Sequence, residues 1–254
     1  MIEVLTHVPS VHLQDCELTY LESESIDYPK ALSQHQAYCQ MLKRCGANVD
    51  TINSNADLAD SVFVEDPIIV FDEVAVLTSM GVESRRPERA AMAEYFSKFR
   101  TVESIDLPAE IEGGDVLQIG KKVFVGRSSR TNQAGIDRLT EILQPFGYQV
   151  VAVDVLGCLH LKTGVTALDE HTLLINSSWV DVLPFQGYQL ITVPESEPFG
   201  ANIMLINGTV CMNRLYPQTI ERVKAKGYAV DSVDISEFVK AEAGLTCMSV
   251  RYRR

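Results

Sequence analysis

The feature that most constrains the fold of this chain is a near-constant spacing between five polar residues. Each stands immediately before a short apolar hairpin, and the successive intervals are 46, 48, 42 and 45 positions. Intervals of this length are typical of repeat architectures, in which each repeat is one supersecondary unit. If equivalent strands point toward one axis, the five side chains meet there. They are Asp66, Glu112, His160, Asn202 and Cys247.

The segments that follow these residues have the composition of β-hairpins. Each contains two β-branched or apolar runs around a turn signal. Asn207-Gly208 is the strongest signal, because both turn residues tolerate positive φ. The pattern predicts hairpins over residues 67–77, 116–125, 165–175 and 203–212.

A helical pattern and a further strand follow most of the hairpins. Apolar residues recur at intervals of three and four over 30–45, 87–99, 131–146 and 217–226, which predicts four helices. Glycine suits the helix end that must turn with positive φ, and strands are predicted to follow it over 46–52, 147–153, 187–193 and 227–230. The segment 177–186 is short and aromatic, so the fourth unit is predicted to be degenerate.

The fifth hairpin is divided between the two ends of the chain. Residues 247–250 supply one strand only, and the N-terminal run 2–6 is its most economical partner. Closure by both termini satisfies strand edges that would otherwise be exposed. The sequence therefore predicts one cyclic α/β domain that spans residues 1–254 rather than two smaller domains.

Composition agrees with a compact globular domain of the size of an enzyme. Hydrophobic residues make up 46% of the chain and charged residues 22%, enough for a large core. The net charge of −12 argues against nucleic-acid binding, which depends on Lys and Arg. Acidity of this kind more often maintains solubility than recognises a ligand, although it permits a cationic substrate. Without a membrane-spanning run or a signal-peptide pattern, we expect a cytoplasmic protein with no membrane partner.

The six cysteines do not have the spacing of a disulfide framework or a structural zinc site. Three of them, Cys39, Cys45 and Cys211, are predicted to be buried and inert. Cys158 and His160 could begin a metal site, but no second cluster completes it. Cys247 differs, because the small residues before it would leave its sulfur reachable.

Three residues of the periodic set have the chemistry of nucleophilic catalysis. A cysteine nucleophile needs an acid/base and a group that orients that acid/base. Cys247, His160 and Glu112 would supply these roles in one cavity. Taken alone, Cys247 would more often be structural and His160 a packed core histidine, and their shared period favours catalysis. This chemistry requires no cofactor and no metal.

Six segments spread nearly end to end also carry a resemblance to a known family. The chain resembles the dimethylarginine dimethylaminohydrolases of the guanidino-modifying amidinotransferase superfamily. The Glu-Gly-Gly-Asp and His-Leu-Lys-Thr-Gly elements are typical of the superfamily, and the Phe-Val-Glu-Asp-Pro and Glu-Ser-Arg-Arg elements indicate this hydrolase. The segments are Asp60-Ser-Val-Phe-Val-Glu-Asp-Pro67, Glu83-Ser-Arg-Arg86, Glu112-Gly-Gly-Asp115, Arg130-Thr-Asn132, Leu159-His-Leu-Lys-Thr-Gly164 and Cys247-Met-Ser249.

The resemblance implies a fold and a reaction. The fold is a five-bladed, pseudo-symmetric α/β propeller of ββαβ modules with an axial active site. The reaction is hydrolysis of asymmetric dimethylarginine or monomethylarginine to citrulline and dimethylamine or methylamine. Cys247 would carry an S-alkylthiouronium intermediate, and His160 would first protonate the amine and then deprotonate water.

The resemblance also implies how the substrate is held. Asp66 and Glu112 would bind the guanidinium. Arg85 and Arg130 would bind the α-carboxylate. Asp60 would bind the α-amino group together with the backbone carbonyls of Leu18 and Ala241. Glu65 is expected either to turn outward or to offer a backbone contact, and the loop 14–27 is predicted to be a lid.

Alternative functions remain open at the level of the sequence. One is the arginine deiminase-like hydrolysis of another guanidino substrate, although the short chain weighs against it. The other is a non-catalytic propeller that binds arginine-like ligands. The sequence also leaves a homodimer open. Zinc bound to Cys247 and His160 would be chemically reasonable as an inhibitor.

Overall fold

A computed structural model describes residues 1–254 of the chain and contains five three-stranded sheets. In each sheet the inner strand pairs antiparallel with the middle strand, which pairs parallel with the outer strand. The sheets are the blades of a propeller, so the predicted five-bladed α/β architecture closed by both termini is confirmed.

The first blade joins the two ends of the chain and the other four follow in sequence order. The first blade consists of β15 (Val250–Tyr252), β1 (Glu3–His7) and β2 (Asn48–Ile52), and the second of β3 (Ile68–Val70), β4 (Val74–Leu77) and β5 (Thr101–Ser104). The third consists of β6 (Val116–Ile119), β7 (Lys122–Arg127) and β8 (Gln149–Asp154), and the fourth of β9 (Val165–Ala167), β10 (Thr172–Ile175) and β11 (Gln189–Thr192). The fifth consists of β12 (Met204–Ile206), β13 (Thr209–Asn213) and β14 (Ala229–Val233).

Helices connect the middle and outer strands of four blades. The connecting helices are α1 (Tyr28–Arg44), α2 (Arg89–Phe96), α3 (Gln133–Leu143) and α5 (Pro217–Ala225), and two short helices, α4 (Leu161–Gly164) and α6 (Ser236–Val239), lie elsewhere in the chain. The fourth blade has only a 3-10 turn at Leu183–Phe185 in this position, as its short aromatic connection predicts. Two helices begin at side-chain caps, where Asp27 and Asn132 accept backbone N–H groups of the first turn.

Three details of the sequence prediction are wrong. The strand β5 was not predicted, because no glycine precedes it and its half-exposed residues show little apolar character. The second helix does not start at Pro87, because a 3-10 helix occupies Glu83–Glu88 and the α-helix follows it. Cys247 does not begin a strand: it lies in a 3-10 turn at Thr246–Met248, and β15 starts at Val250.

The two termini close the propeller as predicted. Strand β1 pairs antiparallel with β15, with Glu3 opposite Tyr252 and Leu5 opposite Val250. The buried ring of Tyr252 packs edge-to-face against Phe96 of the second blade, with 5.2 Å between ring centroids. The C-terminal strand therefore completes the first blade and also contacts the second.

The five inner strands surround a cavity on the propeller axis. Its volume is about 150 Å³, and every inner strand contributes to its wall. One representative residue from each is Ile69, Leu117, Thr166, Leu205 and Arg251. The segment that leads into each inner strand consequently lies at one end of this axis. No helix of the structure is both long enough and apolar enough to cross a bilayer.

Candidate active site

The five periodic residues lie where the chain enters the five inner strands. Cys247 lies in a 3-10 turn, while Glu112 and His160 stand immediately before short helical turns. Asp66 lies two residues before β3, and Asn202 follows a 3-10 turn and lies two residues before β12. The equivalent positions in the repeat thus give equivalent positions around the axis.

Hydrogen bonds join these segments into a closed circuit, which we call the inter-blade ring. Each blade is linked to the next, and the fifth is linked back to the first. The bonds run from Glu65 N to Cys247 O (3.2 Å), Gly113 N to Asp66 O (3.0 Å), Leu161 N to Asp115 Oδ1 (2.8 Å), Asn202 Nδ2 to Lys162 O (2.9 Å) and Thr246 N to Asn202 Oδ1 (3.1 Å). This ring holds the predicted catalytic segments in fixed order around the axis.

His160 lies among carboxylates at the centre of the site. Its Nε2 is 2.8 Å from Glu112 Oε2 and 3.9 Å from Asp66 Oδ1. Burial of the imidazole opposes protonation, but the charge of Asp66, the hydrogen bond to Glu112 and the charge of Asp115 outweigh it and raise the pKa of His160 to about 9. At neutral pH the side chain is an imidazolium that can donate a proton.

The carboxylates predicted to hold a guanidinium are both fully buried and both paired with arginine. Asp66 Oδ2 is 2.8 Å from Arg85 Nη1, and Glu112 Oε1 is 3.3 Å from Arg130 Nη1. Burial opposes ionisation of Asp66, but His160, Arg85 and Arg130 outweigh it and lower its pKa. Asp66 is therefore a carboxylate at neutral pH, with the charge that binding of a cation requires.

Arg85 is anchored by a carboxylate that the sequence did not single out. Glu88 accepts from Nε and Nη2 of Arg85 at 3.0 and 2.9 Å, and Asp60 lies 3.8 Å from Arg85 Nε. Burial raises the pKa of Glu88 to about 7, partly offset by Arg85. The spacing of three residues along a helical turn is the signal that could have identified Glu88, because such residues are neighbours on one face.

Cys247 has intermediate exposure, as does Cys16, whereas Cys39, Cys45, Cys158 and Cys211 are buried. Burial, together with the charges of Glu65 and Asp66, raises the pKa of Cys247 to about 12. Gly244 N lies 3.4 Å from the sulfur and favours the thiolate. In the absence of a ligand the group is a thiol, so an added positive charge is needed to ionise it.

The predicted lid crosses the site from the first blade. Thr19 Oγ1 accepts from Arg130 Nη2 at 2.8 Å, and the Thr19 backbone N–H donates to Glu242 Oε2 at 2.9 Å. Glu242 also accepts the N–H groups of Tyr20 and Leu21. Its backbone has positive φ (57°). The contact between Thr19 and Glu242 brings together the chain next to Leu18 and the chain next to Ala241.

Asp60 also faces the lid. Both of its carboxylate oxygens lie 3.3 Å from Glu17 N. Burial raises the pKa of Asp60, and the charge of Arg85 opposes this shift. The three residues predicted to bind an α-amino group are Asp60, Leu18 and Ala241. Each makes, or is next to a residue that makes, one of these contacts with the lid.

The side chain of Glu65 points inward, which differs from the first of its two predicted arrangements, an outward orientation. Its carboxylate is 2.5 Å from Lys162 Nζ and accepts from Thr246 Oγ1 at 2.7 Å. Strand alternation does not apply to Glu65, because it precedes β3 and lies outside the strand. Its backbone N–H does make a contact, with Cys247 O. Glu65 therefore links the segment that contains Cys247 to Lys162 of another blade.

Asp115 and Gly114, two residues of the Glu-Gly-Gly-Asp motif, are further parts of the site. Asp115 is fully buried and accepts from Thr131 Oγ1, Ser128 Oγ and Leu161 N at 2.6–2.8 Å. It thereby fixes the backbone directly after His160. A Cβ on Gly114 would lie 2.6 Å from His160 Nδ1, so only glycine leaves room for the imidazole.

Nearby positive charges disfavour metal binding at the one cluster of potential metal ligands. The ligand atoms of Asp66, Glu112 and His160 all lie within 4.8 Å of one another. Arg85 and Arg130 already pair with these carboxylates, and His160 carries a proton at neutral pH. A divalent cation would have to displace or repel three positive charges.

Comparisons with known proteins agree with this geometry. The family model described as N,N dimethylarginine dimethylhydrolase, eukaryotic, matches residues 18–250. The N(G),N(G)-dimethylarginine dimethylaminohydrolase of Streptomyces coelicolor is 39% identical over 99% of this chain and 97% of its own length. The protein of the same name from Pseudomonas aeruginosa is 36% identical over 98% of each chain.

A solved structure extends the comparison to three dimensions. The Pseudomonas aeruginosa enzyme, as a cysteine-to-serine mutant in complex with citrulline, superposes with a TM-score of 0.93 and 35% identity over 98% of each chain. The match of sequence and fold covers nearly the whole molecule and includes every blade. The chain therefore belongs to the dimethylarginine dimethylaminohydrolase family.

Proposed function

We infer that this chain hydrolyses N-omega-methylated arginines to citrulline and a methylated amine. The observation that carries this conclusion is the arrangement of Cys247, His160, Glu112 and Asp66 around one axis, with the imidazole 2.8 Å from Glu112 and 3.9 Å from Asp66 and its pKa raised to about 9. These are the groups required to hold a guanidinium and to replace one of its nitrogens by oxygen. The citrulline complex of the similar enzyme supports the same product.

The first half of the reaction removes the amine. Asp66 and Glu112 bind the N–H groups of the guanidinium, and its positive charge lowers the pKa of the nearby Cys247 thiol. The thiol proton passes to solvent as the substrate binds, and the thiolate attacks the guanidinium carbon. His160 gives its proton to the methylated nitrogen, whose bond to carbon breaks to release dimethylamine or methylamine. The product is an S-alkylthiouronium on Cys247.

The second half restores the enzyme. His160, now neutral, takes a proton from water, and the resulting hydroxide attacks the same carbon. The carbon–sulfur bond breaks, Cys247 leaves as a thiolate, and the new hydroxyl group loses its proton to give citrulline. The thiolate then takes up a proton, which returns Cys247 to the thiol of the free enzyme. One water is consumed for each amine released. Glu112 keeps His160 oriented in both halves through their 2.8 Å contact.

The other end of the substrate is held by opposite charges. Arg130 and Arg85 bind the α-carboxylate, and Asp60 binds the α-amino group together with the carbonyls of Leu18 and Ala241. Arg130 contacts both Glu112 and Thr19 of the lid, so it lies between the catalytic centre and the entrance. This arrangement supports a free amino acid, charged at both ends, as the class of substrate.

Citrulline release is the direct test. The purified protein is expected to form citrulline from asymmetric dimethylarginine and from monomethylarginine, and Cys247→Ser is expected to abolish it. Citrulline formation from arginine but not from its methylated forms would instead assign the arginine deiminase-like reaction. Tight binding without turnover would assign the non-catalytic propeller. Cys39→Ser, at another cysteine, is the matched control and is expected to retain activity.

Two further expectations accompany this function. We propose a cytoplasmic location, where free methylated arginines would be met, and cell fractionation tests it. A homodimer formed through the outer helices also remains a proposal. Light scattering across a range of protein concentrations would distinguish a dimer from a monomer.

A further inference from the structure

Asn202 is the one periodic residue without a role in the reaction above. Its side chain is buried, with 6% of the residue exposed, at the entrance to β12. Its amide nitrogen donates to Lys162 O at 2.9 Å and to Thr246 Oγ1 at 3.0 Å, and its amide oxygen accepts from Thr246 N at 3.1 Å. Both amide hydrogens are used, so the side chain joins protein segments and does not face a ligand.

The two segments that Asn202 joins are those of the nucleophile and the acid/base. Thr246 immediately precedes Cys247, and Lys162 lies two residues after His160. These residues belong to different blades and are far apart in the chain. One buried side chain therefore sets the separation between the backbone that carries the sulfur and the backbone that carries the imidazole.

The inter-blade ring depends on Asn202 more than on any other side chain. Of its five bonds, two join backbone groups, one uses Asp115, and the remaining two both use Asn202. Loss of the Asn202 amide would open the ring on both sides of the fifth blade. Loss of any other side chain would remove at most one bond of the ring.

A second set of contacts connects Asn202 to Glu65 and Lys162, two charged residues that influence the pKa of Cys247. Thr246 Oγ1 donates to Glu65 at 2.7 Å, and Glu65 pairs with Lys162 at 2.5 Å, so the four side chains and the Lys162 carbonyl form a closed circuit. Glu65, Thr246 and Lys162 also line the axial cavity. Besides burial, the charge of Glu65 raises the pKa of Cys247, and that of Lys162 lowers it. The circuit fixes both charges relative to the sulfur.

We propose that Asn202 is a positioning residue that holds the nucleophile Cys247 in register with the acid/base His160. It acts through the backbone at Thr246 and Lys162 and touches no reacting group. The inference rests on the proposed roles of Cys247 and His160. It assigns the fifth blade, which contributes no group to the chemistry, a function in the geometry of the site.

Steady-state kinetics supply the first test. Asn202→Ala is expected to lower kcat about 30- to 100-fold and to change KM less than about threefold, because misalignment affects the reacting atoms more than substrate binding. Asn176→Ala is the matched control. Asn176 is equally buried (8% exposed) and its amide bonds Pro198 O at 3.1 Å, but it has no contact with the ring. It is expected to lower Tm similarly while kcat stays within twofold.

A conservative pair keeps the test valid if Asn202→Ala does not fold. Thr246→Val removes the hydroxyl that joins Asn202 to Glu65, and Thr246→Ser retains it. We expect the valine variant to lose about tenfold in kcat and the serine variant to remain within about threefold of the unchanged protein. Equal kcat values for the two variants would contradict the proposal.

A measurement without substrate separates this proposal from the proposed function. Alkylation of Cys247 by iodoacetamide, followed by mass spectrometry at that residue over a range of pH, reports the sulfur directly. In Asn202→Ala the pH midpoint should rise, because the Lys162 segment is released and its lowering effect on the pKa of Cys247 weakens. Asn176→Ala should leave the midpoint unchanged.

The outcomes are distinct. If the unchanged protein forms no citrulline, the proposed function fails, and the alkylation midpoints alone decide the role of Asn202. If citrulline forms but Asn202→Ala matches Asn176→Ala in both kcat and midpoint, the positioning role is overturned. A loss confined to KM would also overturn it.

Discussion

At the scale of single residues, the proposed nucleophile Cys247 is neutral in the free site and the proposed acid His160 is charged. The pKa of Cys247 is raised to about 12, and that of His160 to about 9, by different balances of burial and charge. In the free site, His160 therefore already carries the proton that the leaving amine requires, whereas Cys247 is a thiol and not a thiolate. A cationic substrate supplies the charge that ionises the sulfur, which restricts reactivity toward other molecules.

The raised pKa of His160 can be measured directly. Because the folded pKa lies above the ordinary value, the imidazolium is present below about 9 and is lost as the pH rises through that value. NMR titration of the ring should therefore give a midpoint near 9. Asp66→Asn should lower the midpoint, since the charge of Asp66 is the largest influence that raises it. The exposed Asp57→Asn is the control, and equal midpoints in both variants would contradict the assignment.

Gly114 is predicted to be indispensable for activity. In Gly114→Ala the new methyl group would lie 2.6 Å from His160 Nδ1 and 2.9 Å from Asp66 Oδ1, so the imidazole must move. We expect kcat to fall by about 100-fold or more, because small displacements of a catalytic group are costly. Gly81→Ala, whose methyl would meet no atom of another residue closer than 3.7 Å, should stay within about threefold of the unchanged kcat. Full activity of Gly114→Ala would refute this placement of His160.

At the scale of elements, the proposed catalytic residues lie at the entrances to the inner strands, and the loop 14–27 is the predicted lid. The carboxylate of Glu242 accepts three consecutive backbone N–H groups of this loop. Such an acceptor cluster orders a segment that has no regular secondary structure of its own. The lid is therefore tied to the strand entrance that precedes the nucleophile.

Loss of this tie should affect substrate binding more than the chemical steps. Glu242→Ala is expected to raise KM about tenfold and to alter kcat less than about threefold, since a looser lid weakens the contact of Thr19 with Arg130. Glu22→Ala, an exposed residue of the same loop, is the control. Steady-state kinetics on both variants provide the measurement. A lower kcat with an unchanged KM would contradict a lid role.

Local patterns predicted most elements, and long-range contacts explain what they missed. The hairpins and helices are encoded by apolar periodicity and turn residues, so their positions were predicted to within a few residues. Strand β5 carries no such signal, because its half-exposed sequence acquires strand geometry by pairing with β4. The inward orientation of Glu65 depends on Lys162 in another blade, and the role of Glu242 depends on a turn with positive φ. Neither can be inferred from neighbours in the sequence.

At the scale of the whole molecule, closure by both termini makes the five blades one structure. Each blade packs on the next, and the inter-blade ring passes through all of them. Separate unfolding of any blade would expose the core of its neighbours and break the ring. A single domain over residues 1–254 is consequently our prediction.

That prediction concerns cooperativity. Unfolding in urea should give coincident transitions by far-UV circular dichroism and by fluorescence of Trp179, which lies in the fourth blade. Deletion of residues 251–254 should lower the free energy of unfolding by about 3 kcal/mol, because it removes the buried ring of Tyr252. Both transitions should therefore move together to lower urea concentration. Separate transitions for the two probes would show that the blades unfold independently.

The central claim is that Cys247 attacks the guanidinium carbon and that the methylated amine leaves first. Acid quenching during turnover, followed by mass spectrometry, tests it most directly. Asymmetric dimethylarginine and monomethylarginine should give one and the same adduct on Cys247, because each loses its methylated nitrogen before the quench. An adduct that retains methyl groups, or one on another residue, would contradict the account.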